Sequence, residues 1–252
     1  MPTAVVTGAT SGLGLAFVNR LAADGYDLVL VARDADRLRG VAADLVHRFG
    51  CTAEVLATDL TDRGGLTRLA ERLTDPDRPV DMLVNNAGNA LRKPFLANDI
   101  ADEESMLDLH VRATLVLTHA ALGPMTERGE GGVINVSSIA GWLPRGTYSA
   151  HKAWVTAFSQ AVAGQVAASG VHVMALSPGF VRTELHERAG IRADKLPSVA
   201  WLDADDVVAE SLEALEKGRA VHVPSARYKA VVGLLRNAPH ETIYRLRSRG
   251  RR

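Results

Sequence analysis

Apolar residues along this chain fall into two alternating rhythms. Seven short runs read as strands: Thr3–Thr7, Asp27–Ala32, Thr52–Ala57, Val80–Val84, Val133–Val136, Val171–Leu176 and Ala220–Val223. Between them lie stretches with the i, i+3, i+4 spacing of amphipathic helices: from the glycines after Thr7 to Ala23, Asp34 to about Phe49, Asp62 to Leu73, Glu103 to Thr126, Tyr148 to about Ala168, and Asp203 to Glu216. Asp34 is a predicted N-cap and Gly170 a predicted helix stop. The stretch from Arg182 to Val199 follows neither rhythm, and the end of the chain is amphipathic and then basic. Strands alternating with helices predict the α/β class: a doubly wound, seven-stranded parallel sheet between two helical layers. With no internal repeat, low-complexity block or linker, residues 1–252 are expected to form one domain.

In such a sheet, ligands bind beyond the carboxyl ends of the strands. Chemically informative residues gather at those ends: Gly8, Arg33, Asp59, Asn86, Ser138 and Pro178. Strand, glycine-rich turn and helix follow one another from Thr3 through Gly8-Ala9-Thr10-Ser11-Gly12-Leu13-Gly14. Glycines there let the backbone turn tightly and approach a pyrophosphate, whose charge suits a helix N-terminus. After the fifth strand, Ser137 and Ser138 precede a helix carrying Tyr148 and Lys152. Residues four apart share a helix face, so the lysine ammonium is expected to favour the phenolate and lower the tyrosine pKa from about 10. The pair would then exchange protons near neutral pH.

Bulk properties narrow the function classes. The 252 residues are 47% hydrophobic, enough for a sizeable core. The 29 basic residues balance 29 acidic ones, which argues against general nucleic-acid binding. A lone cysteine, Cys51, excludes an internal disulfide and suits a reducing compartment. The N-terminus has no signal-like n-region or h-region, and no apolar run approaches the ~18 residues of a membrane span. The expected location is the cytoplasm. The eight histidines show no metal-ligand spacing, and Ser138 lacks the G-x-S-x-G setting of a hydrolase nucleophile, so neither metal nor hydrolase chemistry is assigned.

With these residues in order, the chain resembles the short-chain dehydrogenase/reductase family. The resemblance rests on Thr7-Gly8-x-x-x-Gly12-x-Gly14, Asn85-Asn86-Ala87-Gly88, Ser138, Tyr148-x-x-x-Lys152 and Pro178-Gly179, and covers roughly Thr3 to Thr183. It implies a Rossmann-type fold and an enzyme that moves a hydride between a nicotinamide and a ketone or secondary alcohol. It assigns Gly8, Thr10, Ser11, Gly12, Leu13 and Gly14 to the pyrophosphate, and Asp59 and Leu60 to the adenine. Asn86, Ala87 and Gly88 would line the cofactor cleft, and Pro178, Gly179, Val181 and Thr183 would cover the nicotinamide. Lys152 would bind the nicotinamide ribose and tune Tyr148, the acid/base. Ser138 would hold the substrate oxygen, with Ser137 as the structural alternative. Helices pairing across subunits in the family imply a homodimer or homotetramer.

Cofactor choice follows from charge. Ala32 stands where related NAD enzymes carry an acidic residue, and Arg33 would pair with a 2′-phosphate, favouring NADP(H) over NAD(H). Asp34, one residue on, would instead turn toward the ribose hydroxyl. Two departures from the family pattern stand out. His110 occupies the place of the usual asparagine in the long helix; it would hold a water, titrate, break the proton path, or simply pack. The segment between Ser138 and Tyr148 is short, which brings Trp142, Leu143 and Pro144 close to the substrate. A second reading is a nucleotide-binding regulatory module with little turnover; His110 supports it, and intact Ser138, Tyr148 and Lys152 oppose it. His151 reads as a surface or interface histidine, and Trp154 and Phe158 as packing residues. Leu185, Ile191, Leu196 and Trp201, on the stretch around 184–202, point either to an apolar substrate or to helical packing. The arginines from Arg245 to Arg252 read as a solubilising tail.

Overall fold

A computed structural model of the chain describes every residue except Arg92, Pro144, 183–196 and 238–252. Its centre is a seven-stranded parallel sheet in the order β3-β2-β1-β4-β5-β6-β9. The strands are β1 (Thr3–Thr7), β2 (Asp27–Ala32), β3 (Ala53–Ala57), β4 (Met82–Asn85), β5 (Gly131–Val136), β6 (Val171–Leu176) and β9 (Val221–His222). Register is continuous across the centre: Val5 faces Val29 on one side and Leu83 on the other. Because helices cover both faces, the strands are apolar at successive positions, as parallel sheets require. Alternation sends Ala4, Val6, Leu30, Val84 and Ile134 to one buried layer, and Val5, Val31, Leu83 and Val133 to the other.

The first layer is closed by α1 (Gly12–Ala23), α2 (Ala35–Phe49) and α7 (Ala204–Glu216); the second by α3 (Arg63–Leu73), α5 (Ala113–Arg128) and α6 (Thr147–Val166). Local chemistry sets their starts. Asp34, Asp62 and Asp203 accept backbone N–H bonds from Arg37, Gly65 and Asp205, so each satisfies a donor left unpaired at a helix N-terminus. Gly170 ends the α6 segment in the left-handed conformation.

Three features depart from the sequence expectation. The helix expected from Glu103 to Thr126 is α4 (Ile100–Leu107), a widened π turn at Asp108–Arg112, and then α5. A π turn takes in an extra residue and so rotates the helix face that follows, and such turns gather at functional sites. A two-stranded parallel pair, β7 (Phe180–Val181) and β8 (Trp201–Leu202), stands outside the main sheet. Part of the chain end is an ordered helix, α8 (Ala226–Asn237), while the arginine tail and most of the 184–202 stretch lie outside the described residues. Among the described residues, no helix is long and apolar enough to cross a membrane.

Candidate active site

The strand order reverses between β1 and β4, and a cleft of about 570 Å³ opens at the carboxyl ends there. Its floor is built by close backbone approach. Gly8 adopts φ +69°, and a Cβ on Gly14 would stand 2.1 Å from the Gly8 carbonyl oxygen. Only hydrogen at these two positions lets α1 begin directly under the turn. Thr10, Ser11, Gly12 and Leu13 line the cleft at the α1 N-terminus; Gly14 lies beneath and makes the approach possible. The buried Thr7 hydroxyl accepts the N–H groups of Asn86 and Ala87 at 2.9 Å each, and Asn86 Nδ2 donates to Thr7 O at 2.9 Å. The expected cleft residues Asn86 and Ala87 are thereby laced to the end of β1, and Gly88 follows them along the cleft.

One end of the cleft carries Arg33, Arg37, Asp59 and Leu60. Asp34 is turned into the helix, where its Oδ1 accepts Arg37 N–H at 3.0 Å. Asp59 Oδ1 likewise accepts the Thr61 amide and hydroxyl. Arg37 was not singled out in the sequence. Its signal was there: a cation in the first turn of a helix opposes the helix dipole, an arrangement better suited to an anionic ligand than to stability.

At the other end stand Ser138, Tyr148, Lys152, Pro178, Gly179 and Val181; Thr183 lies outside the described residues. The two serines separate by environment. Ser137 is buried, donates to Lys152 O at 2.6 Å and shares a hydrogen bond with the Thr156 hydroxyl, so it joins β5 to α6. Ser138 is partly exposed to the cleft, where its hydroxyl accepts Ala140 N–H at 3.1 Å and acts to lower the Tyr148 pKa.

Electrostatics here correct the expectation of a tyrosine acidified by its neighbour. Burial raises the Tyr148 pKa above the ordinary phenol value, with the Ser138 hydrogen bond acting against it. Lys152 Nζ is engaged by Val136 O at 2.7 Å and lies 5.8 Å from the Tyr148 ring centroid. Only 6% of Lys152 is exposed, and this burial lowers its pKa to about 8. Desolvation therefore outweighs the mutual attraction that helix spacing suggested.

His110 lies in the π turn, 1% exposed, with its ring edge-on to Tyr148 at 5.6 Å between centroids. Its Nε2 accepts Asn89 N–H at 3.1 Å, which leaves the proton of the neutral ring on Nδ1. Burial holds its pKa well below the ordinary imidazole value, with the Lys152 charge acting in the same direction. Of the expected alternatives, a group titrating near neutral pH is not what this environment makes. A proton shuttle needs both ring nitrogens, and one is committed to the backbone. His151, expected on the surface, is 9% exposed and packs edge-on against His110 at 5.7 Å. The widened turn directs the His110 ring toward α6, which the straight-helix reading did not foresee.

Of the apolar residues expected at the substrate, Leu185, Ile191 and Leu196 lie outside the described residues, as does Pro144. Trp201 rests against Phe180 at 5.8 Å, inside the β7–β8 pair. Trp154 and Phe158 stack on each other at 4.7 Å, as packing residues do.

The site therefore joins a glycine turn under a helix N-terminus, an asparagine-laced strand switch, and a tyrosine and lysine at the far end. The profile of the short chain dehydrogenase family matches residues 2–193, and the chain belongs to that family. An uncharacterized oxidoreductase of Staphylococcus saprophyticus is 33% identical over 231 residues, 90% of this chain and 97% of its own. A short-chain dehydrogenase from Sphingobium yanoikuyae, solved in complex with NADPH, superimposes with a TM-score of 0.85 at 33% identity, covering 95% of this chain and 96% of that one. A bulky-bulky ketone specific alcohol dehydrogenase from Comamonas testosteroni gives 0.81 at 28% identity, covering 95% of each chain. The protein is thus an oxidoreductase of this family.

Proposed function

We propose that the protein is an NADP(H)-dependent carbonyl reductase or alcohol dehydrogenase, with Tyr148 exchanging the proton. The observation that carries this reading is the joint placement of Ser138, Tyr148 and Lys152 at one end of a cleft whose other end holds Arg33 and Arg37. The cleft suits the cofactor: the Gly8–Gly14 approach leaves backbone donors and a helix N-terminus open to a pyrophosphate. Arg33 and Arg37 would hold a 2′-phosphate, while Asp34, which also lines the cleft, has its Oδ1 engaged as a helix cap. NADPH in the Sphingobium neighbour supports this preference. When bound, the nicotinamide supplies or accepts the hydride. The chain's part is positional and protonic. Ser138 orients the substrate oxygen beside the phenol. Tyr148 gives that oxygen a proton on reduction, and its raised pKa keeps it in the protonated form that reduction requires. Lys152, cationic below about pH 8, stabilises the phenolate left behind.

The bulky-ketone specificity of the Comamonas neighbour supports a carbonyl compound as substrate. Purified protein with NADPH and a panel of ketones tests the reading by loss of nicotinamide absorbance. Tyr148→Phe is expected to lower turnover by about 10²–10⁴-fold, the contribution of one acid–base group. Unchanged turnover removes Tyr148 from the chemistry. Tight NADPH binding without turnover on any carbonyl would favour the regulatory reading instead.

A further inference from the structure

Pro178 and Gly179 form part of the wall of the cleft that Tyr148 also lines, and three sets of contacts hold that wall. Ile139 N–H donates to Pro178 O at 3.0 Å, which links the wall to the turn that follows Ser138. Phe180 and Val181 pair with Trp201 and Leu202. The third set comes from α8, beyond the part of the chain that matches the family profile. Tyr228 of this helix is 8% exposed, and its ring lies directly on Gly179: a Cβ there would meet ring carbons at 2.2 Å. The Tyr228 hydroxyl donates to Ala200 O at 2.6 Å and accepts Phe180 N–H at 3.3 Å. One phenol thus bridges the backbone at 180 and at 200 while its ring presses on 179. The same helix touches the turn Ile139–Trp142, where the Arg236 guanidinium lies 5.6 Å over the Trp142 ring.

We propose that Tyr228 is a positioning residue for the hydride-transfer reaction, fixing the backbone from Pro178 to Phe180 against the nicotinamide end of the cleft. The proposal rests on the dehydrogenase reading above. A tyrosine serving only the core needs an apolar ring and one satisfied hydroxyl. This one spends both its donor and its acceptor on the two segments flanking the wall, and its ring occupies the space that Gly179 leaves open. Gly179 accordingly has two reasons to be glycine, the cofactor on one side and Tyr228 on the other. Any looseness at this wall changes the depth and angle at which a nicotinamide seats, and misplacement of reacting atoms by about 1 Å is costly in rate.

Tyr228→Phe tests this directly, because it keeps the ring and removes both hydrogen bonds. Three quantities are compared with the unaltered protein: NADPH binding by fluorescence, the KM for NADPH and the kcat, and amide hydrogen exchange at Gly179, Phe180 and Val181 without nucleotide. NADPH binding is expected to weaken by about five- to twenty-fold, the range that two neutral hydrogen bonds support. Exchange at Phe180 should quicken while amides in the central strands keep their rates. The pH profile of kcat should be unchanged, since Tyr228 touches no proton in the reaction. Tyr228→Ala should magnify the first two effects. NADPH binding and Phe180 exchange that Tyr228→Phe leaves as they were would overturn the proposal alone. Failure of the unaltered protein to bind either NADPH or NADH would overturn the dehydrogenase reading, and this proposal with it.

Discussion

At the scale of single residues, burial rather than pairing governs the charges at the site. Lys152 is the clearest case. Its pKa of about 8 against an ordinary 10.5 means that the unfolded chain binds more protons between those values. Stability from this group therefore rises with pH across that window, and the charged lysine costs stability at neutral pH. Replacing Lys152 by Met should abolish turnover yet stabilise the fold by about 1–3 kcal/mol at pH 7, after subtracting the lost bond to Val136 O. The gain should vanish by about pH 10, where the wild-type amine is neutral. Urea midpoints of both proteins at the two pH values measure it. Ser137 and Ser138 make the same point from a different angle: adjacent hydroxyls of identical chemistry differ in role because one is sealed against Lys152 O and the other opens to Tyr148.

At the scale of elements, the site depends on how closely backbone segments approach. Gly14 and Gly40 both sit in helices, and their surroundings predict opposite outcomes for alanine. A Cβ at Gly14 would meet Gly8 O at 2.1 Å and Asn86 Nδ2 at 2.6 Å, so α1 would have to withdraw from the turn. Gly14→Ala should lower stability by about 1–3 kcal/mol and remove measurable nucleotide binding. At Gly40 in α2 nothing lies within 4 Å, and Gly40→Ala should stabilise by about 0.5–1 kcal/mol without touching binding. Thermal melts paired with NADPH titration separate the two. The π turn at Asp108–Arg112 is an element-scale device of the same kind: one extra residue swings His110 under Asn89 and against Tyr148.

At the scale of the whole molecule, the sheet order brings distant sequence to one cleft. Arg33 and Arg37 follow β2, whereas Tyr148 and Lys152 belong to α6, and the reversal between β1 and β4 opens the space that joins them. NADPH should accordingly stabilise the entire fold more than NADH does. A ligand at 100 times its Kd adds about 2.7 kcal/mol, so equal concentrations should separate the two nucleotides clearly in a thermal-shift assay. The double change Arg33→Ala with Arg37→Ala should erase most of that difference, and raised salt should narrow it in the wild type, because both arginines are exposed. An unchanged NADPH preference in the double variant would count against recognition of a 2′-phosphate by these two residues.

Sequence alone determined whatever depends on local pattern. Apolar runs bounded by turns located all seven main strands, and Asp34, Asp62 and Asp203 marked their helix starts because capping is a matter of a few neighbouring residues. The glycine turn and the Tyr148–Lys152 spacing were legible for the same reason. Tertiary structure decided what depends on environment. Burial set the direction of the Tyr148 and Lys152 pKa values against the local expectation, and a widened turn, unforeseen in the straight-helix reading, placed His110 and His151 together. A helix near the chain end, read as an amphipathic prelude to a basic tail, brought Tyr228 onto Gly179 across 49 positions, counting from 179 to 228. Local sequence specifies backbone geometry through short-range sterics and hydrogen bonds; desolvation and close approach arise only when segments far apart in the chain exclude water from one another.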